Sequence, residues 1–272
     1  MEVDPTTVRS APQGRQFGRT LRRFGRSVGP TIVLFIFLLA IWEIVVVVGH
    51  PKSYILPSPL SVVQALGDFS QWHWFTAAAV TSTEVVGGFI LSGILGVLIG
   101  IVVTWSDTSR QAILPFLVVF NSLPKIALAP LFIIWLGYGI WPNIWIAFLI
   151  SFFPVAINTA RGLMETDTDF MDLAHLLRAK RWRIYAMIRI PHALPYIFTG
   201  LKIATTEAVV GAIIGEFIAS SAGLASLIMS AQASLSSNAI LAALVWISAL
   251  GFLLYGIVSL LEYWLMPWTR TA

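Results

Sequence analysis

The sequence predicts an all-α integral membrane protein with about six transmembrane helices. Three observations predict it. The 272 residues are 57% hydrophobic and only 11% charged, against about a quarter charged in a soluble domain. Apolar runs reach about twenty residues, the length that crosses a bilayer. Only helices and closed barrels satisfy their backbone polar groups in lipid, and the short alternating strands of a barrel are absent.

The elements follow in order. A polar arm over residues 1–29 carries Arg9, Arg15, Arg19, Arg22, Arg23 and Arg26. Span one covers about Pro30 to Val48; it is too long for a signal-peptide core, has no small-x-small site after it, and reads as uncleaved. The turn-rich Leu56-Pro57-Ser58-Pro59 follows, with Trp72, Trp74 and Phe75 expected at interface depth. Span two runs from about Thr76 to Trp105. Span three runs from about Ala112 to Leu136 and contains Pro115, Pro124 and Pro130. Spans four, five and six cover about Ile140–Ala160, Ala193–Ala219 and Ile240–Trp264. Residues 30–268 thus form one transmembrane domain, with a long loop at 165–191 and a short tail at 269–272.

Basic residues set the orientation. Six lie in the arm, Arg110 between spans two and three, six at the long loop (Arg161, Arg178, Lys180, Arg181, Arg183, Arg189), and Arg270 at the C-terminus. The opposite loops carry only Lys52, so both termini are expected in the cytoplasm of a multi-pass protein in the cell's inner membrane. This asymmetry accounts for the net charge of +4 without invoking nucleic acid. The chain has no cysteine, which excludes disulfides and thiolate chemistry. The four histidines have no metal-site spacing, and no catalytic constellation stands out. Stripes of small residues, Gly88-Ser92-Gly96-Gly100 and Gly200-Ala204-Ala208-Ala212 with Gly211 and Gly215 beside them, favour close packing inside the bundle. A subunit interface or pathway wall is the other reading.

The long loop is charged and also patterned. Asp169 can cap a short helix whose first turn holds Asp172, with Phe170, Leu173, Ala174 and Leu177 on one face. A second short helix is expected from about Arg181 to Ile190, with Trp182 and Tyr185 among basic residues, and Pro191 closes the unit. Two short amphipathic helices meeting at a turn make a knob fit for docking a partner.

Here the chain resembles permeases of ATP-binding-cassette importers, whose cytoplasmic signature is Glu-Ala-Ala, three residues, Gly, nine residues, Ile-x-Leu-Pro. Asp172, Leu173 and Ala174 fall on the opening triplet, Arg178 on the glycine, and Ile188, Ile190 and Pro191 on the close. Arginine takes a positive φ poorly, so the turn is expected to differ or to be right-handed. Trp42-Glu43-Ile44, Leu56-Pro57-Ser58-Pro59, Pro124-Lys125-Ile126-Ala127-Leu128-Ala129-Pro130-Leu131, Trp135-Leu136-Gly137-Tyr138-Gly139, Phe152-Phe153-Pro154 and Asn158 look like the nitrate/sulfonate/taurine branch. Val209 to Phe217, and Glu84 where oxyanion members often have arginine, look closer to its pyrimidine-precursor subgroup. The resemblance implies a type I importer fold and a homodimer of permeases. It also implies two separate ATPase subunits carrying ATP and magnesium, and an extracytoplasmic binding protein. ATPase coupling then falls to Asp172, Leu173, Ala174, Leu177, Arg178, Ala179, Trp182 and Pro191. This chain has no phosphate loop of its own, so it is expected not to be an enzyme and to hold no cofactor.

Ionisable groups inside a membrane are costly and are site candidates by default. Lys125, after the helix-kinking Pro124, is either a substrate or gate contact or a snorkelling or paired lysine. Glu84 and Glu207 are pathway candidates or structural pairs, with Lys125 or Lys202 as partners of Glu84. Glu216 is a candidate hydrogen-bond hub at the outer gate. Asn121, Ser122 and Asn158 supply neutral hydrogen bonds. The substrate expected is a small pyrimidine-type or vitamin-precursor molecule, with small anions as the alternative. A passive channel or ion-coupled carrier, lacking any ATPase, is the rival class; a membrane enzyme would need a catalytic cluster that is not found.

Overall fold

A computed structural model describes residues 14–166, 174, 176–220 and 222–267, and every regular element among them is helical. Helix α1 (Gly14–Gly49) passes through Pro30 unbroken. Its apolar part, Gly29–Gly49, is left uncovered by the rest of the chain, which suits lipid. Ser58 then caps α2 (Pro59–Gly67), its Oγ accepting from Ser61 N–H at 3.2 Å, with Pro59 in the first turn where no N–H is needed. The stretch expected as a turn is therefore a helix start. A single helical turn, α3 (Phe69–Trp72), leads to α4 (Trp74–Trp105). Trp74 is fully buried, its indole N–H donating to the Ala65 carbonyl at 3.0 Å. It anchors α2 to α4 and is no exposed belt residue.

The expected third span is broken. Helix α5 (Asp107–Ser122) and the segment Lys125–Leu136 meet at an 86° bend. Pro124 cannot donate a backbone bond and pushes the residue before it out of the helical region; Leu123 is accordingly extended, at φ −70° and ψ 146°. After a turn of 3₁₀ helix at Lys125–Leu128 the chain continues as α6 (Ala129–Leu136) and, past Gly137 and Gly139 at positive φ, as α7 (Ile140–Met164).

The second loop helix is not a separate element. A short helix, α8 (Arg181–Ile184), runs through a widened π turn at Tyr185–Arg189 into α9 (Ile190–Ala219). Pro191 does not close a helix: it sits in the first turn of α9, where a missing N–H costs little. Sequence reading also missed α10 (Leu224–Ala233), too short to span, which precedes α11 (Ser237–Leu265).

The core is α4, α7 and α9, with α7 packed most extensively on the other two. The small stripes make this possible. A Cβ added at Gly96 would lie 2.7 Å from Val155 Cβ, and one at Gly100 2.6 Å from Thr159 Cβ. Ala204, Ala208 and Ala212 are fully buried. Packing within the bundle is thus what both stripes do.

Candidate coupling loop and translocation pathway

Only part of the loop is described. Asp172 and Leu173, with Asp169 and Phe170, lie outside the described residues, as does the tail at 269–272. Ala174 is buried, and its carbonyl accepts from Ala179 N–H at 3.0 Å around Arg178 at φ +47°. A bond of this span around a left-handed residue is the Schellman helix stop. Arg178 therefore takes the glycine conformation, contrary to the right-handed or altered turn expected from the sequence. The left-handed form costs a non-glycine residue about 1–2 kcal/mol. Arg178→Gly is expected to stabilise the chain by about 1 kcal/mol; a lower melting temperature in detergent would contradict it.

Leu177 does not share a face with Ala174. It sits in the turn, 73% exposed, beside Leu176 at 82%. Trp182 and Met187 are exposed as well, so the loop offers apolar side chains among Arg178, Lys180, Arg181 and Arg183. Its two ends are tied to the core. On one side Glu165 accepts from Arg161 Nε at 2.8 Å and from the Tyr196 hydroxyl. The Arg161 bond first, then that of Tyr196, holds the Glu165 carboxyl below its usual range. On the other side the Tyr185 hydroxyl donates to the Thr104 carbonyl at 2.5 Å, and Arg189 donates to that hydroxyl at 3.0 Å. The loop thus joins the ends of α7 and α9 to the end of α4. Sequence reading missed Glu165, Tyr196 and Thr104 as anchors, since no local pattern links residues so far apart.

The intramembrane candidates fall into separate groups. Lys125 donates to Asn121 Oδ1 at 3.0 Å and lies over the Phe153 ring at 5.0 Å. Glu207 is half-buried on α9. Ser122 is exposed beside Asn121, its hydroxyl bonded back to the Val118 carbonyl. Asn158 stands apart, its amide donating to the Pro154 carbonyl of its own helix at 2.8 Å. Lys202 pairs with Glu262. Glu84 therefore pairs with neither lysine: it is 1% exposed and accepts from Asn143 Nδ2 at 2.8 Å. The helices explain this: Glu84 meets Asn143 at the level of Gly215 on α9, whereas Lys202 lies thirteen residues earlier on that helix, about 20 Å along its axis.

Glu216 is a hub. It is 1% exposed and accepts from the Thr81 hydroxyl at 2.5 Å and from Ala225 N–H at 2.7 Å. The Thr81 oxygen in turn accepts from Leu224 N–H at 2.9 Å. These bonds hold the start of α10 against α4 and α9. Gly223, at φ +105°, leaves room for the carboxylate, which a Cβ would meet at 2.3 Å. Thr81 and Asn143 were missed in the sequence. Thr81 is one turn before Glu84 on the same face of α4, which was the available signal.

Comparisons agree with this architecture. Residues 92–270 match the family of the binding-protein-dependent transport system inner membrane component. The chain is 33% identical to the formylaminopyrimidine transport permease protein ThiX of Halalkalibacterium halodurans, over 92% of this chain and 99% of that protein. It is 29% identical to the putative aliphatic sulfonates transport permease protein SsuC of Bacillus subtilis, over 92% and 90%. The MetNI methionine transporter, inward facing, shares the fold at a TM-score of 0.57 and 15% identity, over 71% of this chain and 97% of that one. The chain belongs to the binding-protein-dependent transport system inner membrane component family, as a permease of the ATP-binding-cassette importer class.

Proposed function

We propose that two copies of this chain form the translocation pathway, and that the 165–191 loop docks each copy on a separate ATPase that binds ATP and magnesium. The loop faces the cytoplasm with both termini, and an extracytoplasmic binding protein delivers substrate on the opposite side. The observation that carries this reading is the loop itself: exposed Leu176, Leu177 and Trp182 at its tip, with hydrogen-bonded anchors to α4, α7 and α9 at its ends. A passive carrier has no use for such a lever. The substrate proposed is a small pyrimidine-type or vitamin-precursor molecule, supported by the similarity to the formylaminopyrimidine permease; the similarity to a sulfonate permease keeps small anions as the second reading.

A single cysteine at Ala179 tests the docking, because the chain has no native cysteine. Efficient, nucleotide-sensitive cross-linking to the cognate ATPase is the expected outcome. No cross-link between correctly folded partners would move a passive carrier to the front.

A further inference from the structure

A cavity of about 470 Å³ lies where the end of α4, the start of α5 and the turn from α8 into α9 meet. Arg181 and Arg189 line it, with the hydroxyls of Ser106 and Thr108 and the rings of Trp105 and Tyr185. A guanidinium is always charged and presents five N–H donors. Most of those donors are unused here. Arg181 makes one long bond, 3.5 Å to the Trp105 carbonyl, and Arg189 makes one of 3.0 Å to the Tyr185 hydroxyl. The Arg189 Nε–H is buried without an acceptor. Among the described residues no carboxylate lies within ion-pairing distance of either arginine. Asp107, the carboxylate on the cavity wall, pairs instead with Arg110 at 3.7 Å. The first-turn N–H groups of α5 at Asp107 and Thr108 have no partner within the helix, and they add the positive end of its dipole. Unpaired cations, an orphan donor and a helix start thus converge on one recess, which is the chemistry that holds a phosphate.

The recess also lies at a fixed depth. Helix α4 is long and apolar enough to cross the membrane and ends at Trp105, so the recess sits at the membrane surface. Along α4, Ile94, Leu98 and Val102 are exposed at helical spacing and lead down one face to Trp105, which is exposed as well. A phosphate in the recess therefore has an apolar track beside it. We propose that this recess binds the phosphate of an anionic phospholipid, with Arg181 and Arg189 as its cationic clamp and the Ile94–Leu98–Val102 face of α4 carrying an acyl chain. Basic pockets between transmembrane helices hold such headgroups. A zwitterionic lipid brings a cation to the same two arginines and is held less tightly. The bound headgroup bridges α4 and α5 to the base of the loop, reinforcing the bond from Tyr185 to Thr104. The proposal needs only that α4 crosses the bilayer, and it does not depend on what the loop docks.

The test is native mass spectrometry of the full chain in neutral detergent, with dioleoylphosphatidylglycerol or dioleoylphosphatidylcholine titrated in. Phosphatidylglycerol is expected to bind at least about fivefold more tightly than phosphatidylcholine. Arg181→Gln, at an exposed position, should weaken phosphatidylglycerol binding about tenfold, the effect of one lost charge-assisted hydrogen bond. Thr108→Glu should weaken it at least as much, because it sets a carboxylate against the phosphate. A carboxylate in the first turn of α5 favours the helix dipole, so lost binding there is not lost folding. Arg183→Gln removes the same charge from the same loop, at an exposed position off the cavity wall, and should leave the affinity within about twofold. Equal affinity for the two lipids, parent-like binding in Arg181→Gln or Thr108→Glu, or an equal loss in Arg183→Gln would each overturn the proposal. Sodium phosphate at the lipid's concentration should leave phosphatidylglycerol in place. Displacement would assign the recess to a soluble phosphate and overturn the lipid.

Discussion

Gly211→Val is expected to abolish the folded permease. A Cβ at Gly211 would lie 2.6 Å from Ala147 Cα and 3.0 Å from Ala147 N. These are backbone atoms of α7 and cannot swing aside like a side-chain end. Gly88 presses on the same residue from α4, where a Cβ would lie 2.5 Å from Ala147 Cβ and 2.8 Å from Phe148 N. Ala147 is thus gripped from both sides, so α7 cannot relieve one contact without worsening the other. Overpacking a dense interior costs about 1–3 kcal/mol, and valine against backbone on a clamped helix belongs at the upper end or beyond. Thermal unfolding followed by size-exclusion chromatography in detergent is the measurement, with Gly256→Val as control, since nothing lies within 4 Å of a Cβ there. Equal melting temperatures for the two variants would show that α7 and α9 do not approach as closely as described.

The largest functional effect is expected from Leu176→Asp combined with Leu177→Asp. Both side chains are exposed, at 82% and 73%, so the bundle should insert and fold as before. Burying a leucine stabilises by about 1.5–3 kcal/mol, so the pair is assigned about 3 kcal/mol, roughly a hundredfold in the docking equilibrium. ATP-driven uptake should fall by at least about tenfold, with the purified protein still monodisperse. Normal uptake by the double variant would remove the loop tip from the docking surface. Ala174→Lys is a poor test of the same idea. Ala174 is buried, so a lysine there breaks the loop's own packing, and its loss of coupling would say nothing about the partner.

The amino-acid sequence by itself determined the membrane class, five of the six spans and the two packing stripes, because hydrophobic length and four-residue spacing are local properties. The same locality made the docking loop legible, as a charged and patterned stretch between spans. Its motif also points to the family, since the spacing from Asp172 to Pro191 is a property of the sequence alone. The 86° break in the third span is half visible in the sequence: Pro124 predicts a kink, but how far the chain turns depends on what α6 then packs against. Arg178 shows the converse. Intrinsic preference argued against a left-handed arginine, and the helix-stop bond from Ala179 to Ala174 overrides it.

Partners across the bundle were decided only by the tertiary structure. Glu84 with Asn143, Glu216 with Thr81 and Ala225, Lys202 with Glu262, and Tyr185 with Thr104 are contacts whose sequence separations carry no period. A buried charge or hydroxyl must find a partner, which is why the sequence marks these residues as significant. Which partner it finds depends on how α4, α7 and α9 rotate about one another. That rotation is set by where glycine and alanine let the backbones meet.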